Sequence, residues 1–128
     1  MKNLGRHVVF DFWGCVNLNS PTIIRKALKE AARACKATLL GIKIHTFFPQ
    51  GVSGIALLAE SHISIHTWPE HKYAAVDVFV CGKKDPYQTI PVFKKYLKPK
   101  KVEVIFAHPR GVPDTTPLGV LPISDSRS

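Results

Sequence analysis

Apolar residues fall along this chain in short blocks whose period changes from two to about four and back. His7-Val8-Val9-Phe10-Asp11-Phe12-Trp13 is β-branched and aromatic and reads as a strand. Gly14 to Asn19 is a loop. Ser20-Pro21 is a helix start, with Ser20 as N-cap and Pro21 in the first helical position. Ile24, Leu28, Ala31 and Cys35 then share one face, which predicts a helix over 21–36.

Strand-like patterning follows at 38–48, at 52–60, at 62–68 and at 73–81, with turn residues at Pro49-Gln50-Gly51 and Pro69 to Lys72. Asp85-Pro86 repeats the cap-then-proline signal and predicts a helix reaching Lys98. Pro91 interrupts that helix, because an interior proline removes a hydrogen bond and clashes one turn back. The helix is therefore kinked there or begins near Ile90. Val102 to Ala107 is the last predicted strand, and residues 108–128, rich in Pro, Gly, Ser, Thr and Asp, are expected to form a flexible tail.

The resulting order is β-α-β-β-β-β-α-β. It predicts an α+β, two-layer sandwich: an antiparallel β-sheet with two helices packed on one face. The other face then needs a cover, most simply a second copy, so a homodimer is expected. At 128 residues the chain is read as a single domain.

Composition narrows the setting. Three widely spaced cysteines, Cys15, Cys35 and Cys81, do not form a disulfide framework. The N-terminus has no leader-like apolar core, and no run approaches the ~20 apolar residues of a membrane span. A cytoplasmic protein without a membrane role is expected. The net charge of +9 raises nucleic-acid binding, but the lysines are scattered and flank predicted helix ends, where they need no ligand.

The densest chemistry lies in Glu60-Ser61-His62-Ile63-Ser64-Ile65-His66-Thr67-Trp68-Pro69-Glu70. Polar groups are costly to bury unpaired, so their crowding beside an apolar strand suggests a reaction site. Metal binding is disfavoured. Ile63 and Ile65 impose strand alternation, and residues four apart on a strand are about 13 Å apart, too far to share one zinc ion. A serine or cysteine hydrolase has the parts but no nucleophile elbow. A third chemistry is self-cleavage. A serine hydroxyl attacks the preceding carbonyl, the amide becomes an ester, and elimination leaves a pyruvoyl group.

Here the pattern becomes specific. The run 60–70, followed by Tyr73-Ala74-Ala75-Val76-Asp77 and Cys81-Gly82 and preceded by Leu4-Gly5-Arg6-His7 and Gly51-Val52-Ser53-Gly54, resembles the prokaryotic pyruvoyl-dependent S-adenosylmethionine decarboxylase proenzymes over residues 4–106. The resemblance implies cleavage between Glu60 and Ser61 into a β chain of 1–60 and an α chain of 61–128. Ser61 becomes the pyruvoyl cofactor that condenses with the substrate amine. Ser53 and His66 take processing roles, and Cys81 returns a proton after CO2 leaves. Glu70 binds the ribose, and Phe47 and Trp68 lie near the adenine. The implied product supplies aminopropyl groups for polyamine synthesis, and the implied assembly is a homodimer of processed units. Arginine remains an alternative substrate, and an unprocessed binding or regulatory homologue is the alternative of a different class.

Two geometric expectations follow. A hairpin turning about His71 sets Ser61 opposite Cys81. His66, five extended residues or about 16 Å from Ser61, needs either a bend in the chain or a partner subunit to act there.

Overall fold

The structure, a computed structural model, describes residues 2–59 and 61–113. Its elements are β1 (Lys2–Trp13), α1 (Pro21–Ala34), β2 (Leu39–Thr46), β3 (Val52–Leu58), β4 (His62–Trp68), a 3-10 turn (Pro69–His71), β5 (Tyr73–Cys81), a second 3-10 turn (Pro86–Gln88), α2 (Thr89–Leu97) and β6 (Lys101–Val112). The six strands form one sheet in the order β2-β3-β4-β5-β1-β6. Every neighbouring pair is antiparallel. The α+β reading holds, with both helices on one face.

The helices begin where their caps demand. The Ser20 hydroxyl accepts the Ile23 N–H at 3.2 Å, and Pro21 opens α1. Ile24, Leu28 and Ala31 are fully buried. Cys35, also buried, closes the helix instead of lying inside it. The Pro91 ambiguity resolves toward a late start. Asp85 caps only the 3-10 turn, and α2 begins at Thr89, so Pro91 sits in its first turn, where amides lack helical partners anyway.

Even positions of β1 and β5 and odd positions of β4 face the helices. Phe10, Phe12, Ile63, Ile65, Val76, Val78, Phe93 and Leu97 are at most 1% exposed. Each such side chain contributes about 1.5–3 kcal/mol of burial. The Phe12 and Phe93 rings lie 5.9 Å apart and seat α2 over β1. Gly54 lets α1 approach β3, since a Cβ there would come within 2.8 Å of the Leu28 side chain.

Three expectations are corrected. β1 starts at Lys2 and β6 continues through His108 to Val112, because Lys2–His7 pairs with His108–Val112. Residues 108–112 are thus strand and not tail. Pro109 is tolerated because β6 is an edge strand. The remainder of the expected tail, from 114 onward, lies outside the described residues. β2 and β3 are shorter than predicted, ending at Thr46 and Leu58.

The third correction concerns register. β4 and β5 pair His62 with Phe79 and Trp68 with Tyr73. The turn is four residues long, closed by the Lys72 N–H on the Pro69 carbonyl at 3.1 Å, with Lys72 left-handed at φ 52°. Its centre lies between Glu70 and His71, so Ser61 comes level with Val80 and not with Cys81.

Candidate active site

The helix-free face of the sheet carries almost all the chemistry singled out above. Ser53 on β3 lies directly across from His66 on β4, and its Oγ is hydrogen-bonded to His66 Nδ1 at 2.7 Å. The pairing is set from behind. Thr67, the next residue along β4, is buried and points the other way. Its Oγ1 accepts the Val52 N–H at 2.9 Å and donates to the Leu18 carbonyl at 2.8 Å. Asn19 Oδ1 accepts the Gly51 N–H at 2.8 Å. The loop after β1 thereby fixes the strand positions on either side of Ser53 and His66.

Ser61 stands between β3 and β4. Leu58 N–H donates to the Ser61 carbonyl at 2.9 Å, and Ser61 N–H donates to the Leu58 carbonyl at 3.3 Å. The Ser61 hydroxyl is buried and has no hydrogen-bond partner among the described residues. Leaving such a group unpaired costs about 1–3 kcal/mol, and a native structure that tolerates it invites a functional explanation. Glu60, the expected residue on the other side of the cut, lies outside the described residues.

A cavity of about 680 Å³ runs over this face, with Ser61 and His62 near one end, Ser53 and His66 near the other, and Ile55 and Phe79 among its apolar walls. A second pocket of about 350 Å³ shares Ser53 and His66 and adds Phe47, Trp68 and Glu70. The second pocket thus groups Ser53 and His66 with Phe47, Trp68 and Glu70, whereas Ser61 shares only the larger cavity with Ser53 and His66. β4 pairs in unbroken register from His62 to Trp68, so the chain does not bend between His62 and His66. Trp68 stacks on Tyr73 at 5.3 Å, and Tyr73 stacks on Trp13 at 6.1 Å.

Cys81 is half-buried at the end of β5, where it pairs with Gly5, and the left-handed Gly82 then turns the chain away. The other two cysteines are buried. Burial pushes the Cys15 thiol up to about 11 and raises that of Cys35 as well. Both stay protonated at neutral pH and serve as core residues.

Sequence reasoning missed a polar cluster beside the cavity. His7 Nε2 donates to Asp77 Oδ1 at 2.6 Å, His62 Nε2 stands 3.8 Å from the same oxygen, and Arg110 Nη1 lies 3.2 Å from His7 Nδ1. The signal was the position of Asp77, a carboxylate inside the apolar run of β5. Another missed contact is the Tyr73 hydroxyl, which donates to Asp11 at 2.6 Å. Burial, reinforced by Asp11, pushes that phenol up to about 12.

Residues 6–111 match the protein family described as S-adenosylmethionine decarboxylase. The S-adenosylmethionine decarboxylase proenzyme of Methanococcus maripaludis strain C5 is 54% identical over 108 residues, covering 82% of this chain and 88% of that protein. The proenzyme of Thermosipho melanesiensis is 44% identical over 126 residues, covering 91% and 96%. The crystal structure of the adenosylmethionine decarboxylase from Aquifex aeolicus vf5 superposes with a TM-score of 0.81 at 35% identity, covering 91% of this chain and 98% of that one.

Proposed function

This chain belongs to the S-adenosylmethionine decarboxylase family and is an enzyme of that activity, and we propose that it generates its own catalyst by self-cleavage at Glu60-Ser61. The observation that carries the proposal is the buried Ser61 hydroxyl without a partner. A nucleophile held out of water and bonded to none of the described residues is free to attack the carbonyl that precedes it. The residues present fit a pyruvoyl group, since one end of the cavity is lined by Ser61 itself and its carbonyl accepts the Leu58 N–H. When formed, such a group supplies a ketone for the substrate amine and an electron sink for departing CO2.

The chain's own residues do the rest. Leu58 N–H holds the Ser61 carbonyl, the atom toward which charge moves as CO2 leaves. Cys81 returns a proton to the substrate carbon. Glu70 accepts hydrogen bonds from the ribose, and Phe47 and Trp68 flank the adenine, where flat apolar surface is favourable. The relatives bear the name of the S-adenosylmethionine activity, which favours that substrate over arginine.

Ser53 and His66 process the bond, with Ser53 holding the reacting carbonyl and His66 taking the α-proton. A straight β4 keeps His66 about 13 Å along the strand from His62, the residue that follows Ser61 in its own chain. We therefore assign the pair to the Ser61 of a second copy. The helix-free face supports this, because it exposes Ile55, Leu57 and Phe106, at 42%, 55% and 44%, around the polar groups. The active unit is then a homodimer packed through these faces. Three cysteines spaced too widely along the chain for a disulfide framework support a reducing, cytoplasmic setting.

Intact mass tests the first part: two fragments, the larger starting with a blocked residue 61, are expected, and Ser61→Ala should remain whole. Co-expression tests the second. A Ser61→Ala chain paired with a His66→Ala chain contains one complete site if the pair acts between copies. Cleavage of the His66→Ala chain should return only in the mixture, and its failure to do so rejects action in trans.

A further inference from the structure

Cleavage needs two bases: one for the Ser61 hydroxyl proton and one for the α-proton. The reading above engages His66 for the second, and its Nδ1 is already bonded to Ser53. We propose that His62 is the first base, positioned by Asp77 and, through Asp77, by His7. This rests on self-cleavage at Ser61 as proposed above.

His62 is the residue after Ser61, and both side chains line one cavity. Its Nε2 faces Asp77 Oδ1 at 3.8 Å, within ion-pair range once the ring gains a proton. That leaves Nδ1, the ring nitrogen nearer the main chain, for the hydroxyl. Asp77 is itself held by the His7 Nε2–H at 2.6 Å, and Arg110 meets the far side of the His7 ring. Phe79, directly opposite His62, packs its ring against both imidazoles at 5.5 and 6.3 Å. Three polar groups, Arg110 on β6, His7 on β1 and Asp77 on β5, thus lead in turn to His62, the residue next to the Ser61 hydroxyl. A nucleophile, a base and a carboxylate that orients the base is an arrangement recognised by geometry, not by chain order.

The step balances. The Ser61 hydroxyl proton passes to His62 Nδ1 as Oγ bonds the carbonyl carbon of residue 60. The peptide C–N bond then breaks, and the Ser61 nitrogen takes the proton back from the imidazolium. The product is an ester, with no net proton consumed.

The test follows cutting of full-length precursor by intact mass, with unfolding measured alongside to confirm folding. His62→Ala should slow cutting by about 100-fold or more, and added imidazole should restore part of the rate. His62→Gln, similar in length and unable to take the proton, repeats the test if the alanine variant does not fold. Hydroxylamine cleaves esters but not amides, so it should leave His62→Ala whole while cutting His66→Ala, where the ester accumulates. His7→Leu should slow cutting about tenfold, while His7→Gln, which keeps an N–H toward Asp77, should remain near the wild-type rate. Cutting of His62→Ala at the wild-type rate, or its rapid scission by hydroxylamine, overturns the inference. In that case an uncut Ser61→Ala leaves the cleavage reading standing, whereas a wild-type chain that never cuts rejects the reading itself.

Discussion

Replacing Thr67 with valine removes one hydroxyl and nothing of comparable size. That hydroxyl accepts the Val52 N–H at 2.9 Å and donates to the Leu18 carbonyl at 2.8 Å, at a residue only 6% exposed. Valine leaves a buried donor and a buried acceptor without partners, each costing about 1–3 kcal/mol. Relaxation and stray water recover part of this, so about 2–4 kcal/mol is expected, or roughly 6–16 °C in the unfolding midpoint for a chain of this size. The loss has a local address. Val52 precedes Ser53 and Thr67 follows His66, so the same hydroxyl that anchors the loop also supports the 2.7 Å contact between Ser53 and His66. Thr67→Val should therefore be both less stable and slower to cut, whereas Thr67→Ser, which keeps the hydroxyl, should lose only about 1 kcal/mol for its missing methyl. Stability is measured by thermal and urea unfolding in a Ser61→Ala background, where cutting cannot blur the transition. Equal stability of the valine and serine variants would refute the reasoning, because burial of the two unpaired groups is its whole content.

Three further outcomes are expected. Cys81→Ala should be cut normally yet decarboxylate at least tenfold more slowly, about 1.4 kcal/mol in the barrier; unchanged turnover would remove Cys81 as the proton donor. Glu70→Gln should raise KM about tenfold with a smaller change in kcat, since the loss is of binding and not of chemistry. Burial holds the Cys15 thiol at about 11, above its ordinary value of 9.0. The unfolded chain loses that proton first as pH rises, so stability from this group is complete below pH 9.0 and declines through about 11, by an amount on the order of 2 kcal/mol. Cys15→Ala should flatten that part of the stability profile.

Local signals carried much of the architecture. Ser20-Pro21 marked α1 to the residue, and the alternation of Ile63 and Ile65 against His62, Ser64 and His66 identified both the strand and its outward face. The resemblance pointed to the residues of the site, and β3 with β4 brings Ser53 and His66 into contact. What sequence did not carry was anything decided across strands. One residue in the turn at Pro69 to Lys72 moved the register, so Cys81 is not opposite Ser61. The N-terminal Lys2–Arg6 and the C-terminal His108–Val112 look irregular alone and become strands by pairing with each other and, at Gly5 and Arg6, with β5. The cluster of His7, Asp77 and His62 escaped for the same reason: its members are scattered along the chain and meet only on neighbouring strands.

The strand order has a consequence for the proposed self-cleavage. Severing the link between β3 and β4 assigns β1, β2 and β3 to one piece and β4, β5 and β6 to the other. In the sheet β2-β3-β4-β5-β1-β6, β1 then lies between two strands of the opposite piece, and β3 borders a third. The pieces are interlaced at three seams, so neither can slide away without peeling a central strand from both sides. Each keeps only one contiguous pair, β2-β3 or β4-β5, and a two-stranded ribbon is marginal at best on its own. A molecule cut there would remain one cooperative body, joined by hydrogen bonds and apolar contact where it had been joined by a peptide.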